Sequence, residues 1–277
     1  MRKQRARKRR GWRKYWQLAR VELAGYGVYR LNFVLWRVRS VVQLLVIYFL
    51  WWTVFASRNE VFSYSKSQIL TYVLGVAVVR SFVLSSRGSE GVGPQIITGE
   101  IVNWLLRPVR YGRVVLVRSL TDKAVNLGFV VVEVSLLVVL LSPPIFIQTN
   151  WWYWVGFGVS LAGAMGLYFV LDFVLSLMSF WTPEDWWAPR FLFMIILEFL
   201  AGGLFPVDIL PQGIYRVLNF LPFPYLLFFP MQVYLGRVGV GEVIRGLVVM
   251  GGWIGVIYVV RKWVWMRGLK SYAAWGR

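Results

Sequence analysis

The chain contains neither cysteine nor histidine. Disulfides, Cys/His zinc sites, thiol nucleophiles, imidazole general bases and Ser–His relays are therefore excluded. The lack of cysteine suits either face of a membrane and fixes no redox compartment. There is no Gly-Lys dipeptide anywhere, so the glycine-rich phosphate loop that ends in Lys and Ser/Thr is missing. The chain cannot be its own ATPase by that route. Acidic residues are scarce too: 12 Asp and Glu stand against 31 Lys and Arg, for a net charge of +19.

What abounds is apolar length. Hydrophobic residues make up 58% of the 277 and gather in six runs. The first covers 40–57 and extends back through 32–38; the second, 67–86, contains Arg80; the third, 124–141, contains Glu133. The fourth, 151–180, opens on four aromatic residues and contains Asp172; the fifth, 191–205, carries Glu198; the sixth covers 240–260. A helix needs about 20 residues to cross hydrocarbon, and each run is near that length. The expectation is an all-α polytopic membrane protein with six transmembrane helices.

The basic residues set its orientation. Thirteen lie within 2–39, and Arg261, Lys262, Arg267, Lys270 and Arg277 close the chain. The segment after the second run adds Arg87, Arg107, Arg110, Arg113, Arg118 and Lys123, whereas the opposing segments carry only Arg58, Lys66, Arg216, Arg237 and Arg245. The positive-inside rule then puts both termini of this multi-pass protein in the cytoplasm, and the expected location is the cytoplasmic (inner) membrane of a prokaryote. The basic tail, 1–10, reads as an orientation signal in contact with anionic lipid rather than as a nucleic-acid arm. No short apolar core ends in a small-residue cleavage site, so a secretory signal peptide is not expected. Over 11–30, Trp12, Trp16, Ala19, Leu23 and Tyr26 share one helical face, with Arg13, Gln17 and Arg20 on another. That pattern predicts an amphipathic helix lying at the cytoplasmic interface. Arg37 and Arg39, at the start of the first span, read as snorkelling to the same interface.

Two further segments are not spans. The cytoplasmic loop 87–118 opens on glycine, serine and Pro94, then offers a short helix over 95–106 that is punctuated by Gly99 and ended by Pro108. Ile96, Ile97, Ile101, Trp104, Leu105 and Leu106 make it too apolar for a solvated linker, so it lies on the membrane, packs under the bundle or docks a partner. On the other side, 206–239 holds five of the chain's 11 prolines around two short apolar pieces. This predicts a pair of re-entrant or interfacial helices in the outer leaflet, since broken backbone is tolerated there only under protein cover. The stretch 221–234 is expected to fold back into the outer leaflet as a hydrophobic plug.

The order of an amphipathic helix, two spans, a cytoplasmic loop, three spans, an outer re-entrant pair and a last span resembles the permease subunits of ABC exporters, the ABC-2-type membrane family. Tyr29-Arg30-Leu31-Asn32-Phe33 resembles the motif before that family's first span. Thr98-Gly99-Glu100-Ile101 and Leu105-Leu106-Arg107-Pro108-Val109 resemble its cytoplasmic loop, although Gln95 stands where such loops often carry an acid. Gly202-Gly203 followed by Pro206, Pro211 and Pro222 resembles its outer gate. The resemblance implies a coupling surface made of Gln95, Gly99, Glu100, Ile101, Leu105, Leu106, Arg107 and Pro108. It implies an outer gate made of Gly202, Gly203, Pro206, Pro222, Phe228 and Phe229. It also implies an ABC nucleotide-binding subunit that carries ATP and Mg, and a second permease subunit, identical or related. No cofactor is expected on this chain.

Within the spans, Arg80 reads as snorkelling or as a partner for Asp172, and Glu133 and Glu198 are deep enough to need pairing, protonation or a wet cavity. These four are the candidate pathway residues. Gly156, Ser160 and Gly163 form a small-residue stripe that reads as helix packing. Two other functions compete. A proton-coupled secondary transporter would use Glu133, Asp172 and Glu198 as relay groups, but no inverted repeat is visible. A membrane-embedded lipid-modifying enzyme would want paired carboxylates, and the only adjacent pair, Glu184-Asp185, reads as a cap on the following helix. The apolar spans favour an amphipathic, lipid-like or drug-like cargo.

Overall fold

A computed structural model describes residues 14–25, 30–58, 60–85, 91–107 and 109–274. The basic tail, Trp12, Tyr26, Tyr29 and Pro108 lie outside the described residues.

Helix α1 covers 14–25, within the predicted amphipathic stretch, and leaves Trp16 and Leu23 exposed on its apolar side. Glu22 ties it to Arg118 at 2.7 Å. Helix α2 (Arg30–Val54) is followed by a two-stranded hairpin, β1 (Glu60–Val61) with β2 (Tyr64–Ser65), and by α3 (Lys66–Val83). Phe62 and Ser63 take positive φ, which lets so tight a turn follow the strand twist. Ser65 then opens α3 with a reciprocal capping box to Gln68. The short connection makes α2 and α3 antiparallel neighbours.

Beyond α3 come two short helices, α4 (Val92–Ile97) and α5 (Glu100–Leu106), before the long α6 (Tyr111–Leu141). The single helix expected over 95–106 is thus two, separated by Gly99. The expected loop also ends early, because α6 begins at Tyr111 rather than near 124. Helix α6 returns along α3: Lys123 touches the last carbonyls of α3, while the backbone N–H of Phe146, just past α6, donates to Thr71 near the start of α3.

Helix α7 (Trp151–Leu177), capped by the Asn150 side chain, packs along α11 (Val240–Ala274). Gly156 lies against Val243, Gly163 against Met250 and Gly166 against Ile254. Farther along, the rings of Phe173 and Trp265 are 6.3 Å apart and those of Phe180 and Tyr272 are 6.0 Å apart. Both numberings rise together, so the two helices run parallel. The small-residue stripe does serve packing, since it lets α11 approach closely.

A parallel pair obliges the chain between to travel back along the bundle. Helix α8 (Ala188–Leu200) starts that return, but its 13 residues are only about 20 Å long at 1.5 Å per residue, against about 30 Å of hydrocarbon. Its cap is not supplied by the Glu184 or Asp185 side chains; a backbone bond from Ala188 N–H to Asp185 O stands there instead. The chain continues through a turn at Gly202 (φ 82°), where the Tyr72 hydroxyl donates to the Gly202 carbonyl at 2.7 Å and Trp51 Nε1 to the Leu204 carbonyl at 3.3 Å. By Asp208, in a 3-10 turn over Val207–Ile209, it has reached the hairpin: the Tyr64 hydroxyl donates to that carboxylate. Helices α9 (Gln212–Leu218) and α10 (Phe228–Tyr234) follow.

Five helices among the described residues are long and apolar enough to cross a membrane: α2, α3, α6, α7 and α11. The predicted fifth run, 191–205, is not a long helix but α8 plus the broken stretch after it. The main core gathers α3, α7 and α10, with Leu70, Leu167, Leu226 and Leu227 fully buried. The outer faces of α2, α6 and α11 stay apolar and exposed, as a lipid contact requires.

Candidate functional site

Gly99 sits at φ 80° between α4 and α5, a left-handed conformation that glycine adopts without strain. The resulting elbow is pinned from one side. Val92, Ile96 and Ile101 are buried against Tyr111 and Val115 of α6, Phe173 and Leu177 of α7, and Trp265, Leu269 and Tyr272 of α11. Gln95 also points inward, accepting a hydrogen bond from the Tyr111 hydroxyl at 2.8 Å. Ile101 and Gln95 therefore anchor the elbow rather than face a partner. The opposite side is open: Glu100 and Arg107 are exposed, as are Leu105 at 45% and Leu106 at 80%, and the Arg107 guanidinium lies 4.6 Å from the centre of the Trp104 ring. This is a small apolar face with charged edges, held by three long helices. Of the eight sequence-derived coupling residues only Pro108 lies outside the described residues.

Among the described residues, three ion pairs hold the four candidate pathway charges. Arg80 makes a two-pronged contact to Glu198, at 2.5 and 2.6 Å. Glu133 is gripped by Arg37, through Nε at 2.5 Å and through Nη2. Asp172 pairs with Arg190. The expected Arg80–Asp172 pairing is therefore replaced. Arg190 lies in the first turn of α8, and the turn from α7 into α8 brings it beside Asp172, while Glu198 lies farther along α8 at the level of Arg80. Arg37 does not snorkel; its side chain is 12% exposed and committed to Glu133. Charges this deep are held because unpaired ions in hydrocarbon are costly.

A family model described as ABC-2 family transporter protein matches residues 41–276. The chain belongs to the ABC-2 transporter family. No curated protein and no solved structure matches it. Membrane subunits of the ABC-2 family work with ABC ATPase partners and are normally not enzymes themselves.

In this ABC-2 chain the six outer-segment residues are all interior. Gly202, Gly203, Pro206, Pro222, Phe228 and Phe229 are buried within one subunit. Gly203 backs directly onto the Arg80–Glu198 pair, so a methyl group there would strike the guanidinium. Phe229 fills the space beside Gly246 of α11, and Met231 the space beside Gly75 of α3. The stretch 221–234 is thus packed against its own α3, α7 and α11.

Two features escaped the sequence reading. Lys123, assigned there to a cytoplasmic loop, is 2% exposed and gives its ammonium to the carbonyls of Phe82, Val83 and Ser85, at 3.2, 2.5 and 2.7 Å. Its position in a run of α6 turns, rather than its charge, was the available signal. At the hairpin end, Asp208 accepts from the Tyr64 hydroxyl, Gln232 Nε2 donates to the same hydroxyl, and the Arg237 guanidinium lies 3.7 Å from the centre of the Tyr64 ring. Burial holds the Asp208 carboxyl above the usual carboxylate range, with Tyr64 and Arg237 opposing the shift, and burial also pushes the Tyr64 phenol up. This cluster ties the hairpin, the 3-10 turn and α10 together.

Proposed function

We propose that this ABC-2 family chain is the transmembrane subunit of an ATP-driven exporter, moving an amphipathic, lipid-like or drug-like substrate outward. A separate nucleotide-binding subunit supplies ATP hydrolysis with Mg, and a second permease subunit completes the pathway. The observation that carries the reading is the α4–α5 elbow: its open side presents Glu100, Leu105, Leu106 and Arg107, while its buried side is packed against α6, α7 and α11 at once. A partner closing on that face pushes three long helices together. All three carboxylates that a proton relay would use are instead held by an arginine each, which favours the ATP-driven reading over a proton-coupled one.

The parallel course of α7 and α11 supports a sixth crossing, made by α8 and the broken stretch to Asp208. With six crossings both termini share the cytoplasmic side and the hairpin lies outside, in a prokaryotic inner membrane. Cysteines placed at Ser63 and Ser142 are expected to react with a membrane-impermeant reagent in intact cells, and one at Ser271 only after lysis; the opposite pattern inverts the topology.

Co-purification with an ABC ATPase and vanadate-sensitive ATP hydrolysis by that complex test the function. Gly99→Pro, which removes the φ 80° turn, and Glu100→Arg, which reverses a charge on the open face, are expected to reduce transport at least about tenfold with membrane insertion unchanged, the scale of one lost charged interface contact. Unaltered partner pull-down and transport in both variants would remove the elbow from the coupling path.

A further inference from the structure

A cleft opens between α2, α3 and α6, at the level of the Arg80–Glu198 and Arg37–Glu133 pairs. It encloses about 70 Å³, less than the roughly 300–1,000 Å³ of a complete small-molecule site, so it has room for a polar headgroup while the rest of a ligand lies outside. Its wall carries one cation and one anion, Arg80 and Glu133, beside the polar side chains of Gln43 and Ser81; Leu44 and Ile47 continue the lining as an apolar track.

The polar side chains are not used up by the protein. Arg80 spends two N–H groups on Glu198 and a guanidinium has five. Both Glu133 oxygens accept from Arg37, and each carboxylate oxygen can accept a second hydrogen bond. The Gln43 amide and the Ser81 hydroxyl make no hydrogen bond to any of the described residues. An uncommitted amide in a membrane span is costly unless something polar meets it. Helix α2, one wall of the cleft, exposes apolar Val42 and Val46 on its other face, where lipid surrounds the bundle.

We propose that this cleft receives the headgroup of a zwitterionic phospholipid from the bilayer. The phosphate lies against the free Arg80 N–H groups and the Gln43 amide, the ammonium lies against Glu133, and the acyl chains leave along Leu44 and Ile47. Arg80 and Glu133 are already neutralised by Glu198 and Arg37, so the wall offers dipoles and spare hydrogen bonds but no net charge, which suits a dipolar headgroup better than one with a net charge. The site deepens the transport reading by naming the chemistry of the cargo, and its binding test needs no ATP.

The purified chain would be examined by native mass spectrometry with dioleoyl-phosphatidylethanolamine, dioleoyl-phosphatidic acid and dioleoylglycerol in competition. Phosphatidylethanolamine is expected to be retained about tenfold over the other two, and Gln43→Leu and Ser81→Ala are each expected to erase most of that preference, the scale of one or two polar contacts. Because neither side chain bonds any of the described residues, both variants are expected to keep the wild-type melting temperature, so a lost preference reports on the site rather than on unfolding. Soluble phosphoethanolamine at equal concentration is expected to compete poorly, since it lacks the chains. Equal retention of all three lipids, a preference that survives in both variants, or efficient competition by the soluble headgroup overturns the proposal. A chain that shows the preference but never couples to an ATPase would instead retain the site and remove the transport reading.

Discussion

Asp172→Ala is expected to destabilise the protein by about 3–5 kcal/mol, the cost of stripping one partner from a buried ion pair. The Asp172 side chain is 1% exposed and its carboxylate holds Arg190, whose own side chain is 14% exposed. One turn earlier on α7, the Lys123 ammonium lies 5.4 Å from the centre of the Tyr168 ring, so the deletion strands Arg190 and takes from Lys123 one of two nearby carboxylates, the other being Asp122. A melting temperature measured in detergent should fall far more than for Glu100→Ala on the open face of α5. Asp172→Ala combined with Arg190→Met should recover much of the loss, because the second change removes the stranded charge. A single variant that melts like the wild type would show that the pair contributes nothing to the fold.

Gly202→Ala is the second large effect, with an expected cost of about 2–5 kcal/mol. Two terms add. A left-handed residue with a side chain costs about 1–2 kcal/mol, and Gly202 sits at φ 82°. Overpacking adds about 1–3 kcal/mol, since the new methyl group would lie 2.5 Å from the Tyr72 hydroxyl and 2.9 Å from Phe228 Cβ. Gly251→Ala is the control. It lies within α11, a Cβ there meets nothing within 4 Å, and removing a helical glycine is expected to stabilise by about 0.5–1 kcal/mol. If the two variants melt alike, the turn at Gly202 is not a fixed point of the return segment.

The long helices were legible because lipid demands an unbroken apolar length, and the sequence shows that length directly. The limits of α7 were readable to within a few residues, since Asn150 caps one end and the aromatic cluster marks it. The return through α8 was not, because composition cannot distinguish a helix that continues from one that stops at Leu200 and turns on Gly202. Ion pairing was half legible. That Glu133 and Glu198 needed partners followed from their depth, but which arginine serves which depends on how α2, α3, α6 and α8 pack, and sequence distance carries no such information. The candidate coupling residues came from the family resemblance, which did not separate inward Gln95 and Ile101 from outward Leu105 and Leu106. Burial did.

The ammonium of Lys123 has a mechanical consequence. A helix that ends in open carbonyls unravels when its next residues are pulled, absorbing the displacement in a frayed turn. Here the carbonyls of Phe82, Val83 and Ser85 are gathered by a side chain rooted in α6, so the end of α3 is spliced to its neighbour. Were the end of α3 pushed, α6 would move with it, and the cleft wall that the two helices share would tilt as one plate.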